Sequence, residues 1–141
     1  MARFLVVDND HANALATELV LRADGHEVSR YTSGAEAVEA LKSEAFDVVV
    51  TDLQMPHTNG FAVVQAARGH SPDSCVVVAS GKALEHHDAL AKAGPCIVSD
   101  KPVDMEAITR VVVACRERGG PAADGCELRK SAPLFQLKVK P

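Results

Sequence analysis

Short apolar runs alternate with helix-like segments over most of the chain. Apolar runs of four to six residues between polar turns are typical of buried strands, and apolar residues three or four apart indicate helices. The runs predict strands at residues 3–7, 26–31, 48–51, 75–79 and 96–98. The helical spacing predicts helices at residues 11–23, 33–44, 61–68, 84–93 and 104–118. Five βα units of this kind predict a parallel sheet with helices on both faces.

Local signals support two of these helices. In the first helix, Leu15, Leu19 and Val20 recur at helical spacing. Before the second helix, Ser33 precedes Glu36 by three positions, which is the capping-box arrangement in which each side chain hydrogen-bonds the backbone of the other residue. We therefore expect the second helix to begin at Ser33.

Composition and charge narrow the class of protein. The chain has 141 residues, of which 47% are apolar and 24% charged, and its net charge is −4. This composition suits one globular domain, and the length excludes two full-sized catalytic domains. The apolar runs are far shorter than the roughly 20 residues of a membrane helix, and no basic stripe marks a nucleic-acid surface. These features predict a cytoplasmic protein without membrane contact or specific DNA binding.

The composition changes after residue 118. Glycine, proline and alanine dominate residues 119–125, as in a linker. Apolar and polar residues then alternate over residues 135–140, as in a strand. We predict one domain at residues 1–118 and a tail at 119–141. The tail strand would pair with an edge of its own sheet or with a second copy of the chain in a homodimer.

Polar residues stand where the predicted strands end. Ligands of parallel α/β sheets bind beyond the carboxyl ends of the strands, so these residues are the first candidates for a site. The polar residues that follow the first, third, fourth and fifth strands are Asp8-Asn9-Asp10, Asp52, Ser80 and Lys101. Acids, a hydroxyl group and an ammonium group are therefore expected at one edge of the sheet.

The chemistry of this group points to a phosphoryl ligand. Carboxylates on neighbouring strand ends repel each other unless a hard cation such as Mg²⁺ lies between them. Such an ion keeps positions open for phosphoryl oxygens, while Lys101 neutralises another oxygen and Ser80 donates a hydrogen bond. Asp52 lies at the centre of the group, where it can act as the nucleophile and form an aspartyl phosphate.

The same residues resemble a known protein family. Residues 4–10, residues 48–56 with Asn59-Gly60, residues 76–80 and Lys101-Pro102 look like the motifs of the receiver domain of two-component response regulators. The resemblance spans residues 3 to about 118. It implies a flavodoxin-like (βα)5 fold, a three-layer sandwich whose five-stranded parallel sheet has the strand order 2-1-3-4-5.

The resemblance also implies a role for each matching residue. Asp52 would be the phosphoacceptor, Asp8 an acid of the Mg²⁺ site, Gln54 a metal ligand through its backbone carbonyl, Ser80 the switch hydroxyl and Lys101 the phosphate-pairing lysine. The phosphoryl group would come from a histidine kinase or a phosphotransfer protein, and output would pass to a downstream protein by direct contact. Such a domain catalyses only its own phosphorylation and dephosphorylation, so it is not an enzyme with a separate substrate.

Three residues depart from the pattern of that family. Asn9 stands where a second acid is usual, which predicts weaker Mg²⁺ binding unless Asp10 takes over as a ligand. Val98 stands where an aromatic ring commonly moves with the switch hydroxyl, which predicts a different coupling to output. Lys82 replaces a polar or acidic residue and is placed to lean over the phosphoryl group.

Two other functions remain as alternatives. A pseudo-receiver would be an interaction module that no longer uses phosphate, and Asn9 and Val98 would be its signs. A phosphohydrolase of the haloacid-dehalogenase type also has two aspartates separated by one residue after its first strand, as Asp8 and Asp10 are here. Against that alternative, the chain has no room for a cap domain, and the motif around Asp52 would be unexplained.

Overall fold

A computed structural model of the protein describes residues 2–53, 60–70, 74–80 and 97–100. The strands are β1 (Arg3–Val7), β2 (Glu27–Tyr31), β3 (Val48–Asp52), β4 (Cys75–Ser80) and β5 (Ile97–Asp100). The helices are α1 (His11–Ala23), α2 (Gly34–Ser43) and α3 (Gly60–His70). The helices predicted at residues 84–93 and 104–118, the linker and the tail strand lie outside the described residues.

The five strands form one parallel sheet with the order β2-β1-β3-β4-β5. This confirms the predicted strand order and the α/β class. β3 lies at the centre, because β1 and β2 flank it on one side and β4 and β5 on the other. The carboxyl end of β3 is therefore surrounded by the ends of its neighbours.

Three strands extend further toward their carboxyl ends than the apolar runs predicted. Asp52 belongs to β3 and Ser80 belongs to β4. The predicted fifth strand at residues 96–98 is observed at 97–100, because Ser99 pairs with Ala79 and Asp100 with Ser80. Polarity ends an apolar run, but the backbone groups continue to pair. Asp52 and Ser80 consequently lie within the strands and share the fixed backbone geometry of the sheet.

Each face of the sheet carries its own core. Strand residues alternate between the two faces, so neighbouring positions enter different cores. The core on the side of α2 and α3 includes Leu5, Val7, Val49, Leu53, Val63, Val64, Val76 and Val78. The core on the side of α1 includes Phe4, Val6, Leu21, Val48, Val50 and Val77. Helices on both faces of one sheet confirm the predicted three-layer arrangement.

α1 is confirmed as a helix, but its leucines at helical spacing do not form its buried side. Leu15 is 37% exposed and Leu19 is 60% exposed, whereas Leu21 is fully buried. The carboxylate of Glu18 accepts a hydrogen bond from Arg22 of the same helix at 2.8 Å and one from Arg30 of β2 at 2.7 Å. The two arginines neutralise this half-buried acid, so the helical spacing of Leu15 and Leu19 does not identify the buried side of the helix.

The beginning of α2 agrees with its sequence signal. The Ser33 hydroxyl oxygen accepts a hydrogen bond from the Glu36 backbone N–H at 3.4 Å, and Ser33 is the N-cap of the helix. Among the described residues, no helix combines the length and the apolar character that a membrane span requires.

The amino-terminal edge of the sheet is tied together by the segment before β3. The Asp47 carboxylate accepts a hydrogen bond from the Arg3 N–H at 2.8 Å, and its backbone carbonyl accepts one from the Cys75 N–H at 2.9 Å. The buried Ser74 hydroxyl donates to the Phe46 carbonyl at 2.7 Å. These contacts join β1, β3 and β4 at the edge opposite the predicted site.

Candidate functional site

Two acids lie side by side at the carboxyl edge of the sheet. β1 and β3 are in register with Val7 beside Thr51, so the next residues along the two chains are Asp8 and Asp52. Neighbouring strands are about 5 Å apart, which brings both carboxylates within reach of one small ligand. The sequence prediction that these two acids meet therefore agrees with the observed register.

Asp8 is half-buried and oriented by its surroundings. Its backbone N–H donates to the Tyr31 carbonyl at 3.1 Å, which attaches it to the end of β2. Its carboxylate oxygen Oδ1 accepts a hydrogen bond from the Asp10 backbone N–H at 2.9 Å. The turn after β1 thus folds back on the first acid and fixes the direction of its side chain.

Asp10 has a structural role that the sequence analysis missed. It is the N-cap of α1, and its Oδ1 accepts hydrogen bonds from the backbone N–H groups of Ala12 and Asn13 at 3.0 and 3.2 Å. An aspartate directly before a helix was a readable signal for this role. Asn9, between the two acids, is exposed to solvent. The exposed residue next to Asp8 therefore carries a neutral amide instead of a carboxylate.

Asp52 is almost completely buried, with 8% of its surface exposed. Its backbone is held from both sides. The Thr51 hydroxyl donates to the Asp52 carbonyl at 2.9 Å, and the next backbone N–H, that of Leu53, donates to the Ala79 carbonyl of β4 at 3.3 Å. The peptide group that follows the predicted phosphoacceptor therefore has hydrogen bonds at its oxygen and at its nitrogen.

The first residue of α3 approaches the same peptide. The Gly60 N–H donates to the Leu53 carbonyl at 2.8 Å. A β-carbon at Gly60 would lie 2.1 Å from the Asp52 carbonyl oxygen and 2.7 Å from the Leu53 α-carbon. Only glycine fits this contact. The sequence analysis read Gly60 as part of a motif but did not detect its contact with Asp52.

Two other predicted residues, Ser80 and Val98, belong to β4 and β5. Asp52 pairs with Ala79, and Ser80 follows Ala79 at the end of β4. Ser80 pairs with Asp100, the last residue of β5, so Lys101 comes directly after the same edge in sequence. Val98 pairs with Val78 inside β5. Gln54, Lys82 and Lys101 lie outside the described residues.

The described donors suit a hard cation that keeps most of its water. Within the described residues, no group of three or more His, Cys, Asp or Glu side chains could hold a metal ion. The edge instead offers the carboxylates of Asp8 and Asp52 with the amide of Asn9 nearby. Mg²⁺ is commonly bound by one or two carboxylates, with water and phosphoryl oxygens as its other ligands. The donor set therefore fits Mg²⁺ bound together with a phosphoryl group.

Comparison with known proteins agrees with the resemblance seen in the sequence motifs. A family model described as the response regulator receiver domain matches residues 4–113. The transcriptional regulatory protein PrrA of Mycobacterium tuberculosis is 34% identical over 134 residues, a match that covers 94% of this chain and 58% of PrrA. The chain thus spans little more than half the length of this relative.

Solved structures show the same fold. A CheY-like receiver domain protein from Methanospirillum hungatei superposes with a TM-score of 0.75 at 24% identity, covering 93% of this chain and 98% of that one. The receiver domain of the sensor histidine kinase PA1611 from Pseudomonas aeruginosa superposes with a TM-score of 0.70 at 20% identity, covering 78% of this chain and 93% of that one. The latter structure holds a magnesium ion in its active-site cleft.

Proposed function

Because this chain belongs to the response regulator receiver domain family, we propose that it is a phosphorylation-operated switch of a two-component system with Asp52 as its phosphoacceptor. One observation carries the assignment to Asp52: this carboxylate ends the central strand of the sheet, is 8% exposed, and lies next to a second acid at the edge where ligands bind. Receiver domains are signalling domains rather than enzymes that turn over a separate substrate.

The proposed reaction is transfer of a phosphoryl group from a phosphohistidine of a histidine kinase or phosphotransfer protein. A carboxylate oxygen of Asp52 attacks the phosphorus atom in line with the leaving imidazole. The new P–O bond forms as the P–N bond breaks, and the imidazole nitrogen takes up a proton. Bound Mg²⁺ would supply positive charge to the phosphoryl oxygens. Lys101 pairs with a further oxygen, and Ser80 donates a hydrogen bond to another.

Asp52 is a better nucleophile candidate than Asp8. Asp8 follows β1, to one side of the central strand. Asp52 lies on the central strand, with β1 on one side and β4 on the other. Asp8 is therefore proposed as a metal ligand. Catalysis would be limited to this domain's own phosphorylation and dephosphorylation.

The proposed metal ligands are Asp8, Asp52, Asn9 and the backbone carbonyl of Gln54. Asp10 is the weaker candidate, because its Oδ1 already accepts two backbone hydrogen bonds from α1. Replacement of a charged ligand by the Asn9 amide lowers the negative charge around the ion, so Mg²⁺ binds less tightly. A metal site with less negative charge would also suit a pseudo-receiver, which does not use phosphate. The pseudo-receiver is therefore the second candidate function.

The remaining proposals concern regulation and partners. Val98 lies beside Val78 in the sheet. Because valine has no aromatic ring that could move with the switch hydroxyl, the signal reaches the output surface by another route than in receiver domains that have such a ring.

Lys82 shields the phosphoryl group from attacking water. Output goes to a downstream protein by direct contact, without specific DNA recognition by these 141 residues. The tail at 119–141 pairs with its own sheet or with a second copy.

Treatment with a small phosphoryl donor such as acetyl phosphate, followed by intact-mass measurement, tests the proposal. In the presence of Mg²⁺ the protein should gain the mass of one phosphoryl group, and Asp52→Asn should abolish the gain. Asp24→Asn is the matched control, because it also removes one carboxylate but at the exposed carboxyl end of α1. Labelling of the Asp52→Asn protein would refute the assignment. An unlabelled wild-type protein that retains the fold would favour the pseudo-receiver.

A further inference from the structure

Thr51 is a fully buried hydroxyl-bearing residue directly before the proposed phosphoacceptor. It has 0% exposure and follows three valines in β3. Strand alternation places it on the face of the sheet that also carries Val49 and Leu53, whose side chains belong to the core under α2 and α3. Packing at this position would be satisfied by a fourth valine, which has nearly the same shape as threonine.

The hydroxyl group therefore needs an explanation other than packing. Removing a hydroxyl from water is unfavourable unless it forms a hydrogen bond in the protein. Thr51 forms that bond with the backbone carbonyl of Asp52, at 2.9 Å. A β-branched side chain also has few accessible rotamers, so the direction of this hydroxyl is well defined.

The bond acts on a peptide group that is constrained at its other atoms too. The Leu53 nitrogen of this peptide donates to Ala79 in β4, and Gly60 of α3 packs against its oxygen. Thr51, β4 and α3 thus fix the plane of the peptide that leaves Asp52. A shift of this peptide would change the ψ angle of Asp52 and the φ angle of Leu53, and would displace the Asp52 α-carbon that carries the carboxylate.

We propose that Thr51 is a positioning residue for phosphoryl transfer: its hydroxyl fixes the peptide after Asp52 and so aims the Asp52 carboxylate at the phosphorus atom and the metal. The inference rests on the proposed role of Asp52. In-line attack is sensitive to small displacements, and an error of about 1 Å can slow a reaction by about a hundredfold. A small displacement of the Asp52 carboxylate should therefore lower the rate of phosphorylation measurably.

The test compares three variants with the wild-type protein. Thr51→Val keeps the shape and removes the hydroxyl, whereas Thr51→Ser keeps the hydroxyl. Ser74→Ala is the matched control, because it also removes a buried hydroxyl bound to a backbone carbonyl, but at the opposite edge of the sheet. The measurements are the rate of phosphorylation by acetyl phosphate, the Mg²⁺ dissociation constant by calorimetry and the melting temperature.

Thr51→Val should be phosphorylated about tenfold more slowly and bind Mg²⁺ about threefold more weakly, while Thr51→Ser stays within about twofold of the wild type. Ser74→Ala should lose thermal stability without a change in either quantity. A Thr51→Val protein with wild-type rate and affinity would overturn the inference, as would an equal slowing in Ser74→Ala.

The same measurements distinguish an error in the proposed function from an error in the role of Thr51. A wild-type protein that takes no phosphoryl group refutes the phosphoacceptor role, and the Mg²⁺ affinities then decide the positioning role alone. Equal affinities of wild type and Thr51→Val would reject it. If Thr51→Val does not fold, Thr51→Ala and Thr51→Ser give the same comparison, because they differ only in the hydroxyl group.

Discussion

Gly60 packs directly against the backbone carbonyl of Asp52, so the start of α3 and the end of β3 touch without an intervening side chain. A β-carbon at Gly60 would lie 2.1 Å from that oxygen. Gly60→Ala must therefore push α3 away or rotate the Asp52 peptide. We expect it to lower the free energy of unfolding by about 3 kcal/mol and to slow phosphorylation. Urea unfolding and the labelling rate measure the two effects.

Gly69 supplies the control within the same helix. A β-carbon there meets nothing within 4 Å, so Gly69→Ala should be neutral or stabilise the protein by about 0.5 kcal/mol through better helix propensity. Equal destabilisation by both substitutions would show that the contact with Asp52 is not the cause.

Asn9→Asp should strengthen Mg²⁺ binding by about five- to thirty-fold, since it adds one partly solvated charge beside Asp8. The variant should also be less stable without metal, because three aspartates then stand in a row. Asn13→Asp adds the same charge at an exposed position on α1 and should change the affinity by no more than about twofold. Titration calorimetry distinguishes the variants, and equal affinities of Asn9→Asp and wild type would contradict the expectation.

Lys82→Ala should shorten the lifetime of the phosphorylated protein. The long cationic side chain is expected to pair with a phosphoryl oxygen and obstruct the approach of water, so its removal opens that path. Loss of the added mass over time, after the donor is removed, measures the rate. Lys42→Ala is a control, because Lys42 is an exposed lysine of α2. An unchanged or longer lifetime in Lys82→Ala would rule out the shielding role.

Glu18→Ala should destabilise the protein by about 1 kcal/mol, because it removes the carboxylate that both Arg22 and Arg30 contact. Hydrogen bonds from Arg22 and Arg30 hold the pKa of Glu18 below its usual range. Glu39→Ala removes a glutamate that is 73% exposed and pairs only with Lys42 among the described contacts, so its cost should be below about 0.5 kcal/mol. Urea unfolding at neutral pH compares the two, and similar costs would contradict this account.

His26 should make folding sensitive to mild acid. Its Nδ1 accepts a hydrogen bond from the Ala2 backbone N–H at 3.0 Å, and burial lowers its pKa below the ordinary value of 6.5. The unfolded chain therefore binds the proton first as the pH falls, and stability should decrease from about pH 7 toward pH 5.5. Urea midpoints across this range should vary less in His26→Gln, whereas the exposed His70→Gln should behave like the wild type. Identical slopes in all three would exclude His26 as the cause.

Apolar runs and helical spacing predicted the parallel sheet, because they are local signals that burial imposes, whereas the strand order was implied by the resemblance to receiver domains. The sequence also predicted Asp8 and Asp52 at one edge of the sheet, since carboxyl ends of parallel strands share an edge, and the register of β1 and β3 agrees with this placement. The helical spacing in α1 predicted the helix but not its buried side, because the contact of Glu18 with β2 depends on Arg30, which is 12 residues away. The contact between Gly60 and Asp52 likewise depends on how α3 docks, and no local pattern encodes that distance.

The strand order has a consequence for synthesis of the chain. β1 leaves the ribosome first, yet it occupies an interior position between β2 and β3. The Arg3 backbone N–H at the start of β1 donates to the Asp47 carboxylate, which lies 44 positions later in the sequence. Until β3 has emerged, the apolar segment from Phe4 to Val7 has an unpaired edge, which is a template for aggregation. Variants that slow the docking of β3 should consequently reduce the soluble yield during expression, even where the finished protein is stable.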